Sequence, residues 1–231
     1  MNLCVIPARG GSKRIPNKNI KIFCGKPIII WSIELAIASK CFDKIIVSTD
    51  DKEISDLAKS NGAEVPFIRP KTLSDDYTGT NPVISHAIKW QIKNYQKPLH
   101  VCCIYATAPF IRLSDLKNGL KILKSSGHEY VFPVTNYAYP IQRSLKIKKN
   151  KKLEMFYPEH FNSRSQDLEE ALHDAGQFYW GSTDAWLENK SVTSGNASPI
   201  LIPRNRALDI DTLDDWQIAE RMFEVINNKK Q

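Results

Sequence analysis

The chain of 231 residues lacks the long apolar segments and paired cysteines that mark several protein classes. No run of about 18 apolar residues occurs, so we expect no membrane-spanning helix. The first residues lack the charged and apolar regions of a signal peptide. The 5 cysteines are odd in number and form no Cys-x-x-Cys spacing, which disfavours a disulfide framework or a zinc site. We therefore expect a cytoplasmic protein that binds no membrane.

Nucleic-acid binding is one class that a net charge of +7 would allow. However, the main lysine cluster contains no interleaved aromatic residues; it consists of Lys146, Lys148, Lys149, Lys151 and Lys152. This pattern indicates a solvated turn rather than a surface that binds nucleic acid. We therefore expect no nucleic-acid partner, and tight RNA binding with a steep salt dependence would revive that alternative.

The stretch 7–19 contains no acidic residue, and its sequence is PARGGSKRIPNKN. It follows a short apolar run at 3–6 that predicts a buried strand. A glycine pair allows the backbone to approach a ligand, and four nearby cations repel one another unless an anion lies among them. Because open α/β sheets bind ligands where strands end, the stretch favours polyphosphate binding over an unoccupied basic turn. Its residue order matches neither a Walker A loop nor G-x-G-x-x-G.

The order of apolar runs and helical patterns predicts one α/β domain over 1–231, with a mostly parallel sheet flanked by helices. Strands are predicted at 3–6, 44–47, 64–68, 99–105, 130–134, 176–180 and 199–203. Helices are predicted at 28–39, 51–61, 81–95, 114–125 and 182–188, and from 212 onward. Only the last four or so residues are predicted to form a disordered tail.

The alternation of strands and helices stops between about 135 and 175. A hairpin is predicted over 144–156, turned at the lysine cluster and followed by a polar loop. About forty residues are too few for an independent core. We therefore expect a small inserted arm that contains β structure and serves as a lid or a dimerisation element.

A second pattern, Asp209-Ile210-Asp211, lies near the end of the chain. In an extended segment, residues i and i+2 face the same side, so both carboxylates would point together while Ile210 packs inward. Adjacent carboxylates repel unless a cation lies between them, and Mg²⁺ is commonly held by one or two carboxylates together with substrate phosphates. The pattern favours a Mg²⁺ site, while a simpler role as a cap of the helix beginning at Thr212 stays open.

Taken with these motifs, the chain resembles the CMP-nonulosonic acid synthetases, a cytidylyltransferase family that includes the CMP-sialic acid synthetases. The likeness covers nearly the whole chain and is carried by 7–19, 47–50, 69–70, 107–109 and 209–212. It implies a Rossmann-like α/β domain, with a smaller arm that binds the sugar and forms a homodimer. It also implies Mg²⁺-dependent attack of a sugar acid's anomeric hydroxyl on the α-phosphorus of CTP, with release of pyrophosphate.

The resemblance assigns roles to individual positions. The positions implied to hold CTP through the loop are Ala8, Arg9, Gly10, Gly11, Ser12, Lys13, Lys18 and Asn19. Arg69 and Thr80 match positions that recognise cytosine, with Thr80 keeping the hydroxyl of a serine. Asp209 and Asp211 match the Mg²⁺ ligands. The implied catalytic residues are Arg9, Lys18 and Asp211.

The chain departs from the sialic acid branch where the sugar is expected to bind. Tyr105-Ala106 replaces Gln-Pro, and Gln142 replaces a lysine. The stretches 163–167 and 175–180 resemble the branch that acts on pseudaminic acid in flagellin glycosylation, with legionaminic or N-acetylneuraminic acid as alternatives. The residues implied to contact the sugar are Tyr105, Thr107, Gln142, Arg143, Arg164, Gln166 and Gln177. A nucleotide-binding protein without catalysis is a remote alternative, disfavoured because mere binding needs no second carboxylate.

Overall fold

The computed structural model describes residues 1–193 and 195–228, so the predicted tail falls almost entirely outside the described ranges. The strands are β1 Asn2–Pro7, β2 Ile22–Phe23, β3 Lys26–Pro27, β4 Lys44–Ser48, β5 His100–Ile104, β6 Tyr130–Asn136, β7 Leu145–Ile147, β8 Leu153–Met155, β9 Leu172–Asp174, β10 Phe178–Ser182 and β11 Ala197–Leu201. The α-helices are α1 Ile28–Ser39, α2 Lys52–Ser60, α3 Thr80–Asn94, α4 Leu113–Ser126, α5 Thr183–Leu187 and α6 Leu213–Asn228.

The main sheet has the strand order β11-β6-β10-β5-β1-β4, and β9 pairs with β6 beside this path. β1 runs parallel to both β4 and β5, and β11 runs parallel to β6. β10 is antiparallel to both of its neighbours, β5 and β6. The predicted α/β architecture with a mostly parallel sheet is thus confirmed, with β10 joining two parallel blocks in the opposite direction.

Successive residues of β1 face opposite sides of the sheet and enter two different cores. Leu3 and Val5 pack with the residues around Val101, whereas Cys4 and Ile6 pack with the residues around Trp180. All six side chains are fully buried. Because both faces of the central strands are covered, their sequences are apolar throughout, as expected for parallel strands between helical layers.

Three helices begin at or within one residue of the predicted positions, and capping residues mark the start of two of them. α1 spans the predicted range of 28–39. Asp51 caps α2 by accepting a hydrogen bond from the Ile54 amide at 2.9 Å. At α6, the Asp215 carboxylate accepts from the Thr212 amide at 2.8 Å, and the Thr212 hydroxyl accepts from the Asp215 amide at 3.2 Å. This reciprocal pair is a capping box. No helix in the described ranges is long and apolar enough to cross a membrane.

The strand predicted at 64–68 is wrong. Only Glu64 pairs there, through an isolated parallel bridge to Ile46 at the sheet edge. The bridge uses the Val47 amide bonded to the Glu64 carbonyl at 2.8 Å. Pro66 follows two residues later and has no amide N–H, so the ladder cannot continue past it.

The arm, defined as residues 137–171, lies outside the main sheet. It contains the predicted hairpin, in which β7 and β8 pair antiparallel with Lys146 opposite Glu154. β9 follows the arm and returns the chain to the main sheet beside β6. The arm exposes many large apolar side chains, including Tyr139, Leu145, Ile147, Leu153, Phe156 and Phe161. Its predicted role in dimerisation stays a prediction.

Candidate functional site

A cleft of about 250 Å³ lies beyond the carboxyl ends of β1 and β5. It is walled by the basic loop, the start of α3, the segment that follows β5, and Asp211. The residues assigned to substrate or metal that line it are Arg9, Ser12, Lys13, Lys18, Asn19, Arg69, Thr80, Tyr105, Thr107 and Asp211. The fold therefore gathers residues from distant parts of the chain at the sheet edge where ligands bind in open α/β folds.

Three of the loop residues assigned to CTP do not line the cleft, namely Ala8, Gly10 and Gly11. Ala8 is buried, and its amide donates to the Ser48 carbonyl at 2.9 Å. The Gly10 amide donates to Asp50 Oδ1 at 3.0 Å, and a Cβ atom on Gly10 would lie 2.7 Å from Asp51 Oδ2. Gly10 thus permits close approach to the start of α2, whereas Gly11 has open space around it. The contacts with CTP that the resemblance implies for Ala8, Gly10 and Gly11 stay predictions.

Asp76 binds two of the cations expected to hold phosphate. Arg9 Nη1 lies 2.6 Å from Asp76 Oδ1, and Lys13 Nζ lies 2.5 Å from Asp76 Oδ2. Arg9 Nη1 also donates to the Asp75 carbonyl at 2.8 Å. The hydrogen bonds from Lys13 and Arg9 lower the pKa of the Asp76 carboxyl. Sequence analysis missed Asp76, because it lies in a polar loop without a motif.

Asp211 binds the other two cations of the loop. Arg14 Nη1 lies 2.6 Å from Asp211 Oδ2, and Lys18 Nζ lies 3.4 Å from Asp211 Oδ1. Lys18 is the more enclosed of the two, with a side chain only 17% exposed. Arg14 lines the cleft without having been assigned a role, although its place among the loop cations was a usable signal. Each of the four loop cations is therefore paired with one of two carboxylates of the same chain, which leaves a net charge of +2 on these six side chains.

Asp209 and Asp211 flank Ile210, which is buried against Trp216 and Phe23 as the extended pattern predicts. Although Asp209 is an exposed residue, desolvation by the surrounding protein raises the pKa of its carboxyl, and the charge of Asp211 raises it further. Asp211 lines the cleft, whereas Asp209 does not. Across residues 1–193 and 195–228, no group of three or more His, Cys, Asp or Glu side chains is placed to hold a metal ion.

Arg69 lies almost fully buried behind the cleft, with 5% exposure. Its guanidinium donates to the Ser48 carbonyl through Nη2 and to the Leu73 carbonyl through Nη1 at 3.4 Å. Nε has no hydrogen-bond partner. Burial lowers the pKa of this side chain. A buried guanidinium beside a cleft with a free donor is suited to bind an acceptor on a ligand.

Thr80 and Tyr105 meet inside the cleft, where their hydroxyl oxygens are 3.1 Å apart. Tyr105 packs against Tyr179 at a ring-centroid distance of 5.4 Å. The Tyr179 hydroxyl donates to Asp174 Oδ2 at 2.7 Å. Tyr105 was assigned to the sugar and Thr80 to the base. The hydroxyl of Tyr105 thus contacts a residue assigned to the other substrate.

Most of the other residues assigned to the sugar lie in the arm and do not line the cleft. Gln142 Nε2 donates to the Glu169 carbonyl at 3.0 Å, and Arg143 Nη2 donates to the Ser163 carbonyl at 2.6 Å. Arg164 forms an exposed ion pair with Asp167 at 2.7 Å. A second cavity of about 520 Å³ in the arm is lined in part by Gln142 and Arg164.

Two further sugar assignments have different surroundings. Gln166 is exposed on the arm. Gln177 is buried in the main domain at 2% exposure, where its Nε2 donates to the Arg206 carbonyl and its Oε1 has no partner. The structure therefore does not bring the whole predicted sugar set together within one protomer, and the sugar roles stay predictions.

Residues 3–175 match the family described as Cytidylyltransferase, and the chain belongs to that family. It is 45% identical, over 97% of each chain, to the pseudaminic acid cytidylyltransferase of Campylobacter jejuni. It is 34% identical, over 96% of each chain, to the CMP-N,N'-diacetyllegionaminic acid synthase of Legionella pneumophila. The predicted family resemblance is thus confirmed.

A solved structure shows that the fold is shared with more distant proteins. A CMP:2-keto-3-deoxy-manno-octonic acid synthetase determined as a complex with CTP superposes with a TM-score of 0.69. The match covers 96% of this chain and 98% of the other at 17% identity. At this identity the match supports the fold alone, and it agrees with the Rossmann-like architecture expected from the sequence.

Proposed function

We propose that the chain transfers CMP from CTP to the anomeric hydroxyl of pseudaminic acid and releases pyrophosphate. The full-length similarity to the Campylobacter jejuni pseudaminic acid cytidylyltransferase carries this proposal. The cleft supports it, because cations, a buried arginine and a carboxylate converge at one edge of the sheet. A reaction of this kind requires mainly positioning and charge stabilisation, which such a site supplies.

The loop cations act on the triphosphate in this proposal. The sugar oxygen forms a bond to the α-phosphorus, and the bond between that phosphorus and the bridging oxygen to the β-phosphate breaks. The negative charge moves onto the leaving pyrophosphate, while the hydroxyl proton is lost to an acceptor. Arg9 and Lys18 both line the cleft and stabilise charge on the phosphates. Lys18 is suited to this role because partial burial strengthens its electrostatic effect.

The carboxylate pair fits a divalent cation. Asp209 and Asp211 offer hard oxygen donors, and desolvation together with the charge of Asp211 raises the pKa of Asp209. Bound Mg²⁺ would neutralise phosphate charge as a Lewis acid. Its other ligands would come from substrate phosphates and water, which is the usual manner of Mg²⁺ binding. The residues' own contribution is to hold two carboxylates beside the basic loop.

Base recognition falls to Arg69 and Thr80 in this proposal. Arg69 has a free Nε donor, suited to a carbonyl acceptor on the base. The hydroxyl oxygen of Thr80 lies 3.1 Å from that of Tyr105, and this contact restricts its orientation. Since a site built to hydrogen-bond one group rejects analogues that leave its buried groups unpaired, these two residues favour one base over another.

We further propose that two copies of the chain associate through the arm. The arm exposes several large apolar side chains, which is typical of a surface that is buried on association. The residues assigned to the sugar also lie largely in the arm, away from the cleft of their own protomer. A homodimer would supply the arm of one copy to the cleft of the other.

Pyrophosphate release from CTP and Mg²⁺ tests the reaction and the sugar together. We expect the highest kcat/KM with pseudaminic acid, and much lower values with N-acetylneuraminic acid. Legionaminic acid is the second candidate, because of the Legionella pneumophila relative. Turnover of N-acetylneuraminic acid without turnover of pseudaminic acid would reject the proposed substrate. UTP in place of CTP serves as the control for base selection.

A further inference from the structure

Asp76 occupies an unusual position for an acidic side chain, because it lies against the cations expected to bind phosphate. Its two carboxylate oxygens are divided between Arg9 at 2.6 Å and Lys13 at 2.5 Å. One carboxylate thus bridges two cations of the basic loop, as a phosphate oxygen pair would. The pairing spans 67 positions for Arg9, so it is a tertiary contact and not a local turn.

The segment that carries Asp76 is folded so as to present it to the loop. The Asp75 carboxylate accepts from the amides of Tyr77 at 3.0 Å and Thr78 at 2.7 Å. This turn projects Asp76 toward the cations, and the Asp75 carbonyl accepts a further bond from Arg9. The backbone at Asp76 is therefore held beside the basic loop by this turn.

We propose that Asp76 competes with the substrate's phosphates for Arg9 and Lys13 and thereby sets the affinity of the cleft for polyphosphate. This inference rests on the proposed function, in which the cleft binds CTP and releases pyrophosphate. A carboxylate carries one negative charge, whereas a triphosphate carries several. The triphosphate therefore displaces Asp76, and Asp76 rebinds the cations as pyrophosphate leaves.

The exposure of the pairs makes such an exchange feasible. The Asp76 side chain is 34% exposed, and those of Arg9 and Lys13 are 32% and 79% exposed. Exposed ion pairs are weak, so a ligand with higher charge replaces them at small cost. The same pairs still lower the affinity of the cleft for polyphosphate, because each pair must be broken before its cation contacts phosphate. Asp76 thus limits product binding at a site whose cations would otherwise retain pyrophosphate.

The contacts of Asp76 also connect phosphate binding to the opposite wall of the cleft. Thr78 and Gly79 line the cleft immediately after Asp76, and Thr80 begins α3. Releasing Asp76 removes two ion pairs that tie this turn to the basic loop, while the bonds of Asp75 keep the turn itself. Binding of the phosphates is thereby coupled to the position of the wall assigned to the base.

Calorimetric titration of Asp76→Asn with inorganic tripolyphosphate tests the inference directly. We expect binding about tenfold tighter than in the wild type, because two competing ion pairs are lost. Product inhibition by pyrophosphate should strengthen by a similar factor in the turnover assay. Asp76→Glu, which keeps the charge, should remain within about threefold of the wild type.

Asp184→Asn is a matched control. Asp184 forms an exposed ion pair with Lys97 at 2.6 Å, at the end of the sheet opposite the cleft, so its loss should leave tripolyphosphate binding unchanged. Circular dichroism checks that each variant is folded, and Asp76→Ser removes the same charge if Asp76→Asn does not fold. Unchanged or weaker tripolyphosphate binding by the neutral variant would overturn the inference. Absence of turnover with every sugar acid would reject the proposed function without altering this binding ratio.

Discussion

The Asp211 carboxylate lies 2.6 Å from the Arg14 guanidinium, although 197 positions separate the two residues. The contact joins the loop after the first strand to the segment before the last helix. Lys18 reaches the other oxygen of the same carboxylate at 3.4 Å. The two motifs that the sequence analysis singled out therefore form one wall of the cleft, and Asp211 is expected to affect both phosphate and metal binding.

Replacement of Asp211 by alanine should abolish turnover while leaving CTP binding weakened but measurable. The variant removes a proposed Mg²⁺ ligand and leaves the loop cations in place to bind phosphate. Pyrophosphate release and calorimetric CTP titration measure the two effects separately. Asp214→Asn, at an exposed position in the first turn of α6, is the control and should keep wild-type turnover. Normal turnover by Asp211→Ala would contradict the metal role.

Asp209→Asn should raise the melting temperature at pH 7 in the absence of Mg²⁺. The pKa of Asp209 is raised in the folded chain, so its stabilising contribution is present below the ordinary value of 3.8 and is lost as pH rises through the raised value. At neutral pH the ionised carboxylate therefore destabilises the fold. Because the residue is exposed, we expect a shift of only about 1–2 °C.

Mg²⁺ provides the second measurement on this variant. Thermal unfolding of the wild type should shift upward with added Mg²⁺, because the ion binds the folded carboxylate pair. Asp209→Asn should respond much less. Equal Mg²⁺ responses of the two proteins would contradict a metal site at this pair, whatever their activities.

Tyr105→Phe should raise the KM for CTP by about 2- to 10-fold and leave kcat nearly unchanged. The substitution removes the hydroxyl that lies 3.1 Å from Thr80 but keeps the ring against Tyr179. The expected size follows from the usual contribution of one neutral hydrogen bond. Steady-state kinetics with CTP varied at saturating sugar acid measures it. A change confined to the sugar acid's KM would instead support the role that the resemblance assigned to Tyr105.

Asp115→Leu should destabilise the fold by about 3–5 kcal/mol, because it leaves the Arg206 charge buried without a partner. Arg206 and Asp115 lie 2.5 Å apart with side chains only 6% and 11% exposed. Urea unfolding at pH 7 measures the loss. The double variant Asp115→Leu with Arg206→Met should recover much of the stability, since apolar residues replace both charges. A loss under about 1 kcal/mol in the single variant would show that the buried pair contributes little.

The sequence predicts local structure well where capping and periodicity determine it. The range of α1 and the capping box at Thr212 follow from nearby residues alone. The direction of β10 could not be predicted, because it depends on partners far away in the chain. The failed strand at 64–68 shows the same limit, since an apolar run does not reveal whether a neighbouring strand will pair with it.

Some residues of the candidate site can likewise be predicted from the sequence, whereas others are revealed only by tertiary contacts. The loop and the Asp209-Ile210-Asp211 pattern are visible because their unusual composition lies in a few consecutive residues. Asp76 carries no such signal, and only its tertiary contact with Arg9 shows its relevance. The surroundings of Gln177 were likewise hidden, because its burial depends on packing against the segment around Arg206.

The central position of β10 has a consequence for synthesis on the ribosome. β5 and β6 are made before residue 178, but they are separated in the sheet by the strand that is made after them. Until β10 emerges, the block formed by β4, β1 and β5 has an unpaired edge at β5, and β6 lacks both β10 and the later β11; such edges promote association with other chains. Products that end before residue 182 would keep these edges and are expected to aggregate. A nascent chain therefore depends on one late five-residue strand to join its two halves.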